Sequence, residues 1–225
     1  MPTTTNVLLV HGAWHGAWCW DTLAPRLTSA GLDVTTVDLP SSGGGGDLAA
    51  DAAVVRAALD GIDGPAVLVG HSYGGQAVSE ASQGRDDVAH LVYLCAFMLD
   101  TGESLLGALA GQVPPWIAVD EATETSMPTT PYDVFYGDVD PSVAAAFPAL
   151  LRPQTLSSFA APLTGAGWHT IPSTYVGCTQ DQAIPYPAQQ AMSARAGSVV
   201  TLQTSHSPFV SAPDDVAAVV RAAAS

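Results

Sequence analysis

The segment "PAVLVGHSYGGQA" (65–77) joins an apolar run to a glycine-rich turn around one serine. Its first five residues have the all-apolar pattern of a strand buried on both faces of a parallel sheet. The residues after Ser72 begin a helical pattern. A serine on such a sharp turn has a strained backbone and presents its hydroxyl outside the sheet. Its neighbours must be small where the two backbones nearly touch, and they are Gly70, Gly74 and Gly75.

A plain glycine-rich turn is the alternative interpretation of this segment, because Gly-x-Ser-x-Gly is a short pattern that also arises by chance. The context favours a chemical role, since the pattern lies directly after a strand and directly before a helix. We therefore predict that Ser72 is a catalytic nucleophile on a nucleophile elbow.

Strand patterns alternate with helical patterns over most of the chain. Apolar β-type runs occur at 6–10, 33–38, 65–69, 90–95, 173–178 and 198–203. Helical patterns lie between most of them, and two of these cover 17–31, with a cap at Gly31, and 47–61, with Asp47 as N-cap. This alternation predicts an α/β fold with a doubly wound, mainly parallel sheet. The 225 residues are expected to form one domain.

One segment, from about 100 to 170, does not follow the alternation. It is rich in proline, alanine and aromatic residues. Because it is too long for a loop in a compact domain, we predict an inserted helical lid. Its aromatic side chains are expected to offer an apolar substrate site: Trp116, Tyr132, Phe135 and Phe147.

A serine hydroxyl is a weak nucleophile without a general base, and the base needs an acid to orient it. In an open parallel sheet, active groups gather at the carboxyl ends of the strands. Of the histidines after Ser72, His90 and His169 precede strands and are expected at the opposite edge. His206 follows the last strand, so we predict that it is the base.

The acid is expected between the serine and the histidine along the chain. Asp181 follows the strand at 173–178 and is favoured, because an acid one strand before that of the histidine is the commoner arrangement. Asp100, after the strand at 90–95, is the alternative. Either aspartate could instead cap a turn.

An oxyanion hole completes such a site by holding the negative oxygen of the tetrahedral intermediate. One donor is expected to be the backbone N–H of Tyr73, the residue after the nucleophile. The other is expected to be the N–H of Ala13, in the loop after the first strand, where Gly12 allows a tight turn. Gly12 and Trp14 of this loop are also predicted to contact substrate.

Composition excludes several classes of function. The chain has 6 basic and 21 acidic residues and a net charge of −15, and it contains no lysine. This charge would repel a nucleic acid or an anionic membrane, so we expect neither as a partner. The amino terminus lacks the basic region of a signal peptide, and the three cysteines have no metal or disulfide spacing. We expect a cytoplasmic protein with reduced thiols, no metal and no cofactor.

Four segments together resemble the α/β-hydrolase superfamily: "LLVHGAWHGAWCWDTLAPRLTSAGLDVTTVDLP", "LVGHSYGG", "LVYLCAFML" and "STYVGCTQDQAIP". More narrowly, they resemble the branch that contains plant methyl esterases, hydroxynitrile lyases and small bacterial esterases. The resemblance spans nearly the whole chain except the predicted lid. It implies a triad of Ser72, Asp181 and His206, with Ala13 and Tyr73 in the oxyanion hole.

Two departures from that branch bear on the reaction. The lyases carry a lysine after the catalytic histidine, where this chain has Ser207, and a threonine where it has Gly12. Lyase chemistry is therefore disfavoured, and the predicted activity is that of a cofactor-free serine carboxylesterase acting on a small or medium apolar ester. A lactonase or cyclase of secondary metabolism and a ligand-binding, receptor-like protein are the alternatives. The predicted protein is a monomer or homodimer.

Overall fold

The computed structural model describes residues 4–225. Its strands are β1 (Asn6–Val10), β2 (Asp33–Val37), β3 (Ala66–His71), β4 (Val88–Leu94), β5 (Ile117–Asp120), β6 (Thr125–Pro128), β7 (Gln154–Thr155), β8 (Ser173–Cys178) and β9 (Ser198–Leu202). Its α-helices are α1 (Ala24–Ser29), α2 (Leu48–Asp60), α3 (Gly74–Ser82), α4 (Leu105–Ala108), α5 (Pro131–Phe135), α6 (Pro141–Ala144), α7 (Leu156–Ala160), α8 (Tyr186–Ser193), α9 (Pro208–Ser211) and α10 (Pro213–Ala223). Within residues 4–225, none of the helices has the length and apolar character that a membrane span requires.

Six strands form the main sheet in the order β2-β1-β3-β4-β8-β9, and each neighbouring pair is parallel. These are the six strands predicted from the apolar runs, and the prediction of an α/β fold with a doubly wound, mainly parallel sheet is confirmed. Because all six strands run in one direction, their carboxyl ends lie at a single edge of the sheet. The residues that follow β3, β8 and β9 therefore approach one another.

The two faces of the sheet pack against different helices. Along β1, Leu8 and Val10 belong to the core shared with α2 and α3, whereas Val7 and Leu9 belong to the core shared with α1 and α10. All four side chains are fully buried. Since successive side chains of a strand point to opposite faces, burial of both faces requires an unbroken apolar run.

The predicted helix over 17–31 is shorter than expected. A 3-10 turn covers Ala17–Trp20, and α1 begins only at Ala24, with Pro25 in its first turn. Proline lacks the N–H that a helix interior needs, so it is tolerated at a helix start and interrupts a longer helix. In contrast, α2 begins after Asp47 as predicted, because the Asp47 carboxylate accepts a hydrogen bond from the Ala50 N–H at 3.0 Å.

The segment predicted as a helical lid contains strands as well as helices. Its helices, α4 to α7, have four or five residues each. An antiparallel sheet in the order β5-β6-β7 lies among them. The prediction of a helical lid was therefore incomplete. The strands have four residues or fewer, which is too short for a clear alternating pattern. In addition, β7 pairs with β6 although the two strands are far apart in the sequence.

Candidate active site

Ser72 lies in the turn between the end of β3 and the start of α3. Its φ is +54°, in the left-handed region that residues other than glycine rarely adopt. The Ser72 N–H donates to the Leu94 carbonyl at 3.2 Å, and the Ser72 carbonyl accepts from the Phe97 N–H at 3.0 Å. These bonds to the neighbouring strand and its following loop hold the strained conformation, with Ser72 in the wall of a cavity beneath the 100–170 segment.

Close backbone contacts explain the glycines beside Ser72. A Cβ atom on Gly74 would lie 2.5 Å from the His11 carbonyl oxygen, and one on Gly70 would lie 2.7 Å from the Gly74 carbonyl oxygen. Both distances are far below the separation of about 3.5 Å at which nonbonded heavy atoms pack. Glycine at these positions lets α3 begin directly against β1 and β3.

His206 and Asp181 form a buried pair at the same edge of the sheet. The distance from His206 Nδ1 to Asp181 Oδ2 is 2.7 Å, and the two residues are 1 % and 4 % exposed. Asp181 Oδ1 accepts from the N–H groups of Ala183 and Ile184, at 2.7 and 2.9 Å. Asp181 Oδ2 also accepts from Gln189 Nε2 at 2.9 Å. Each carboxylate oxygen is thus satisfied, and the imidazole has one orientation.

Asp100, the alternative acid, does not contact His206. Its Oδ1 lies 2.7 Å from His169 Nε2, and both side chains are partly exposed. This hydrogen bond holds the pKa of Asp100 below its usual value. The structure therefore brings Asp181 to His206 and leaves Asp100 in a surface pair.

His71 links the turn at Ser72 to the loop of residues 203–207, which we call the histidine loop. Its Nε2 donates to the His206 carbonyl oxygen at 2.8 Å. Burial lowers the pKa of His71 well below its usual value, so the ring is neutral. In residues 4–225, His206 is thus hydrogen-bonded to Asp181 and His71 but not to Ser72. Such serine–histidine bonds often shorten only when substrate binds.

The loop after β1 has an oriented backbone at Ala13. The Leu39 N–H donates to His11 Nε2 at 3.0 Å, so the ring proton of His11 is on Nδ1, which donates to the Gly12 carbonyl at 2.8 Å. Burial lowers the pKa of His11 to about 4, which keeps this tautomer neutral. The N–H of a trans peptide points away from its C=O, so fixing the Gly12 carbonyl also fixes the Ala13 N–H.

A buried carboxylate lies beneath Tyr73. The Tyr73 hydroxyl donates to Asp51 Oδ2 at 2.6 Å, and the Ser41 N–H donates to Asp51 Oδ1 at 3.0 Å. Burial raises the pKa of Asp51. The hydroxyl of Tyr73 is therefore committed to the interior. Within residues 4–225, the backbone N–H groups of Ala13 and Tyr73 have no backbone partner, and both residues line the cavity beside Ser72.

The cavity is small, with about 380 Å³ of empty space that includes its opening to solvent, and its wall is almost wholly apolar. The 100–170 segment closes the cavity with apolar side chains that include Leu105, Leu109, Ile117 and Phe159. No charged side chain of residues 4–225 contributes to its lining. Apart from the Ser72 hydroxyl and the backbone N–H groups of Ala13 and Tyr73, a bound molecule meets hydrocarbon and aromatic surface.

The residues predicted to contact substrate divide into two groups. Trp14, Trp116 and Phe135 line the cavity. Tyr132 and Phe147 lie outside it: the Tyr132 hydroxyl donates to the Val139 carbonyl at 3.4 Å, and Phe147 packs against Trp18 and Tyr136. Gly12 lies behind Ser72, where an added Cβ would be 2.7 Å from the Ser72 Cβ.

Residues 7–219 match the sequence profile of the Alpha/beta hydrolase family. The chain belongs to this family. Alpha/beta hydrolase nvfD of Aspergillus novofumigatus is 32 % identical over 97 % of this chain and 96 % of its own. Methylesterase 1 of Arabidopsis thaliana is 28 % identical over 83 % of this chain and 82 % of its own. The crystal structure of a pyrethroid hydrolase from Sphingobium faniae JZ-2 matches with a TM-score of 0.88 and 25 % identity, covering 99 % and 98 % of the two chains.

The relatives of this α/β-hydrolase confirm the resemblance inferred from its motifs, since plant methylesterases are among them. They also confirm the predicted class of enzyme, a carboxylic ester hydrolase, because esterases and hydrolases recur among their names. The roles of single residues in this chain do not follow from these matches and are argued from geometry.

Sequence reasoning missed several residues that orient the site. His11, His71 and Gln189 are polar and fully buried. His11 is hydrogen-bonded to Gly12 in the loop of residues 11–18, which we call the oxyanion loop after its predicted role. His71 is hydrogen-bonded to His206, and Gln189 to Asp181. The only signal in the sequence was a histidine beside each motif, in "VHG" and "GHS". Gln189 lies inside a helix, where nothing marks it as different from a surface glutamine.

The fold also brings together three metal-ligating side chains that no sequence spacing predicted: His71, Cys95 and His206. One atom of each side chain already has a partner. His71 Nε2 and Cys95 Sγ both contact the His206 carbonyl, at 2.8 and 3.4 Å, and His206 Nδ1 contacts Asp181. We therefore assign this group to packing behind the imidazole of His206.

Proposed function

We propose that this α/β-hydrolase is a serine carboxylesterase that hydrolyses small or medium, uncharged, apolar esters through an acyl-enzyme on Ser72. One observation carries the proposal. The strained Ser72 turn lies at the wall of an apolar cavity, beside two unpaired backbone N–H groups, and at the sheet edge that holds the His206–Asp181 pair. These are the nucleophile, oxyanion donors and base that acyl transfer needs.

In the proposed reaction, the Ser72 oxygen attacks the ester carbonyl carbon while His206 Nε2 takes the hydroxyl proton. Asp181 accepts the Nδ1–H bond and stabilises the imidazolium that forms. The carbonyl oxygen becomes an oxyanion, which accepts from the N–H groups of Ala13 and Tyr73. The C–O bond to the alcohol then breaks, and His206 returns its proton to the leaving oxygen. Water, deprotonated by His206, then attacks the acyl carbon; the bond to the Ser72 oxygen breaks, His206 gives its proton to that oxygen, and the acid leaves.

The lining of the cavity supports an uncharged, apolar substrate. A carboxylate or ammonium group on the substrate would lose its water against Phe97, Trp116 and Phe159 without gaining a partner, which is costly. Aromatic side chains favour aryl or alkyl groups on either side of the ester. The names of two similar proteins, a methylesterase and a pyrethroid hydrolase, agree with such substrates.

Cyanohydrin cleavage is not part of the proposal. The leaving cyanide would need a cation in a dry site. Ser207, which follows His206, is neutral. Arg152, the arginine of the 100–170 segment, is bound elsewhere. Its Nη2 lies 2.5 Å from Asp38 Oδ1 and 3.1 Å from the His15 carbonyl oxygen, outside the cavity.

The proposal extends to partner and location. The partner is a small-molecule ester, and the protein acts as a monomer or homodimer. The proposed location is the cytoplasm, in agreement with three buried free cysteines in the described residues: Cys19, Cys95 and Cys178.

The test is a series of p-nitrophenyl esters of increasing acyl length, with wild type and Ser72→Ala compared. We expect turnover for small and medium acyl groups and loss to the buffer rate in Ser72→Ala. A negatively charged control, the p-nitrophenyl monoester of succinic acid, should be a much poorer substrate than the butyrate. Tight ester binding without turnover by the wild type would support the receptor-like alternative instead.

A further inference from the structure

Residues 135–138, which we call the clasp, contact both halves of the candidate site. The Phe135 ring packs against Trp14 of the oxyanion loop and against His206, with centroids 5.8 and 5.6 Å apart. The Tyr136 hydroxyl lies 2.8 Å from His15 Nε2. Burial lowers the pKa of His15 to about 3, so its ring is neutral and Nε2 accepts from the hydroxyl. The clasp thus connects the 100–170 segment to the two loops that carry the chemistry.

Asp138, at the end of the clasp, binds the backbone beside the predicted base. Its Oδ2 accepts from the Ser205 N–H at 2.9 Å, and its Oδ1 accepts from the Ser205 hydroxyl. Ser205 directly precedes His206 and is 2 % exposed. A backbone N–H buried without an acceptor is costly, and Asp138, although itself exposed, supplies the acceptor for the buried Ser205.

The loop from 203 to 207 has few other side-chain hydrogen bonds. The hydroxyls of Thr204 and Ser207 are buried and have no hydrogen-bond partner among residues 4–225. On the sheet side, His71 donates to the His206 carbonyl at 2.8 Å. On the acid side, the Gln180 N–H donates to the Thr204 carbonyl at 3.0 Å. The side that faces the 100–170 segment is held through Ser205, by Asp138 and a weaker 3.3 Å contact of its hydroxyl with a clasp carbonyl.

We propose that Asp138 is a positioning residue: its carboxylate holds Ser205 so that the His206 imidazole stays in line between Ser72 and Asp181. The proposal rests on the proposed function of this site. It predicts that the 100–170 segment contributes to catalysis as well as to binding, because a residue of that segment orients the base. A small displacement of a catalytic group is enough to slow the reaction strongly.

The main variant is Asp138→Ala, measured in the full-length chain with p-nitrophenyl butyrate. We expect kcat to fall about 10- to 100-fold while KM changes by less than about threefold, because the base is misplaced and the cavity is not. Asp138→Asn should recover most of kcat. Its amide oxygen can accept from the Ser205 N–H, and its amide nitrogen can donate to the Ser205 hydroxyl.

Asp140 provides a matched control in the same segment. It is exposed, as Asp138 is, and it also binds a serine N–H and hydroxyl, those of Ser142, at 2.8 and 2.6 Å, but it has no hydrogen bond to the histidine loop within residues 4–225. Asp140→Ala should leave kcat unchanged. Equal losses in Asp138→Ala and Asp140→Ala would overturn the proposal, since they would reflect a general loss of order in the segment.

Two measurements keep this test separate from the proposed function. The rate at which a fluorophosphonate modifies Ser72 reports the serine–histidine geometry without any ester. The low-field proton signal of His206 Nδ1 reports its bond to Asp181. If the wild type hydrolyses no ester, the proposed function fails, yet slower labelling and a shifted signal in Asp138→Ala would still support positioning. Labelling of Asp138→Ala at the wild-type rate, or an effect of this substitution on KM alone, would overturn the positioning proposal.

Asp138→Glu covers the case in which Asp138→Ala does not fold. It keeps the charge but moves the carboxylate, so we expect a lower kcat that Asp138→Asn does not show. Wild-type kcat in a folded Asp138→Glu would contradict the proposal.

Discussion

At the scale of single residues, the candidate site depends on hydrogen bonds that leave each group one orientation. The Asp181 carboxylate accepts two backbone N–H bonds on Oδ1 and two side-chain bonds on Oδ2, from Gln189 and His206. Neutral histidines with defined tautomers fix the neighbouring carbonyls, as His11 does for Gly12. Burial keeps these rings uncharged, and their partners set which nitrogen carries the proton.

Asp181→Asn should leave the fold intact and lower kcat by about 10⁴-fold, as expected when the histidine takes the wrong tautomer. The two backbone N–H groups that bind Oδ1 require the amide oxygen at that position. The amide nitrogen therefore faces His206 Nδ1 and cannot accept a hydrogen bond from its N–H. The measurement is kcat with p-nitrophenyl butyrate, together with thermal unfolding. Asp100→Asn is the control and should behave like wild type. The reverse result would assign the acid to the earlier strand.

At the scale of elements, the site depends on how closely α3 begins against β1. Ser72 has a φ of +54° in the turn between β3 and α3, where its N–H and C=O are bonded to Leu94 and Phe97. His71, the last residue of β3, then reaches the histidine loop after β9. The 100–170 segment adds a roof, and its clasp contacts the oxyanion loop as well as the histidine loop.

Gly74→Ala should destabilise the protein by roughly 1–3 kcal/mol, the usual cost of overpacking, and should lower kcat by displacing Ser72. The new Cβ would lie 2.5 Å from the His11 carbonyl oxygen, which belongs to the backbone and cannot rotate away. Urea unfolding and ester turnover are the measurements. Gly61→Ala is the matched control, because its Cβ would be 3.5 Å from its nearest neighbour. Normal stability and turnover in Gly74→Ala would contradict the nucleophile-elbow interpretation.

At the scale of the whole molecule, several neutral histidines lie in one core between the sheet and the 100–170 segment. Burial lowers the pKa of His11 to about 4 and that of His15 to about 3. Their unfolded pKa is about 6.5, so between these values the unfolded chain binds more protons than the folded protein. Stability therefore rises with pH up to about 6.5 and is lost as the pH falls from there towards 4.

His15→Gln should reduce this pH dependence. Each buried histidine contributes a slope of up to about 1.4 kcal/mol per pH unit below its unfolded pKa. We expect the slope of unfolding free energy between about pH 4.5 and 6 to fall by roughly that amount in His15→Gln. Urea unfolding of the wild type and of His15→Gln at several pH values provides the measurement. An unchanged slope in His15→Gln would show that His15 titrates alike in both states.

Local patterns in the sequence were sufficient to predict the architecture and the place of the central residues. Short β-type runs located all six strands of the main sheet; the inner strands are apolar because both of their faces are buried, whereas the edge strands β2 and β9 are partly exposed. A glycine pattern located the turn at Ser72, because close backbone approach excludes side chains. Parallel strands share one carboxyl edge, so the meeting of Asp181 and His206, 2.7 Å apart, could be anticipated from their positions after two strands.

Other features depended on the path of the folded chain. The β5-β6-β7 sheet has short strands without a distinctive pattern, and its third strand comes from a distant part of the segment. The aromatic residues of that segment are alike in sequence, yet Trp116 and Phe135 line the cavity while Tyr132 does not. The contact between Asp138 and Ser205 joins positions far apart in the chain. Such contacts arise from the packing of complete elements, and the sequence around one aspartate carries no trace of the serine it will meet.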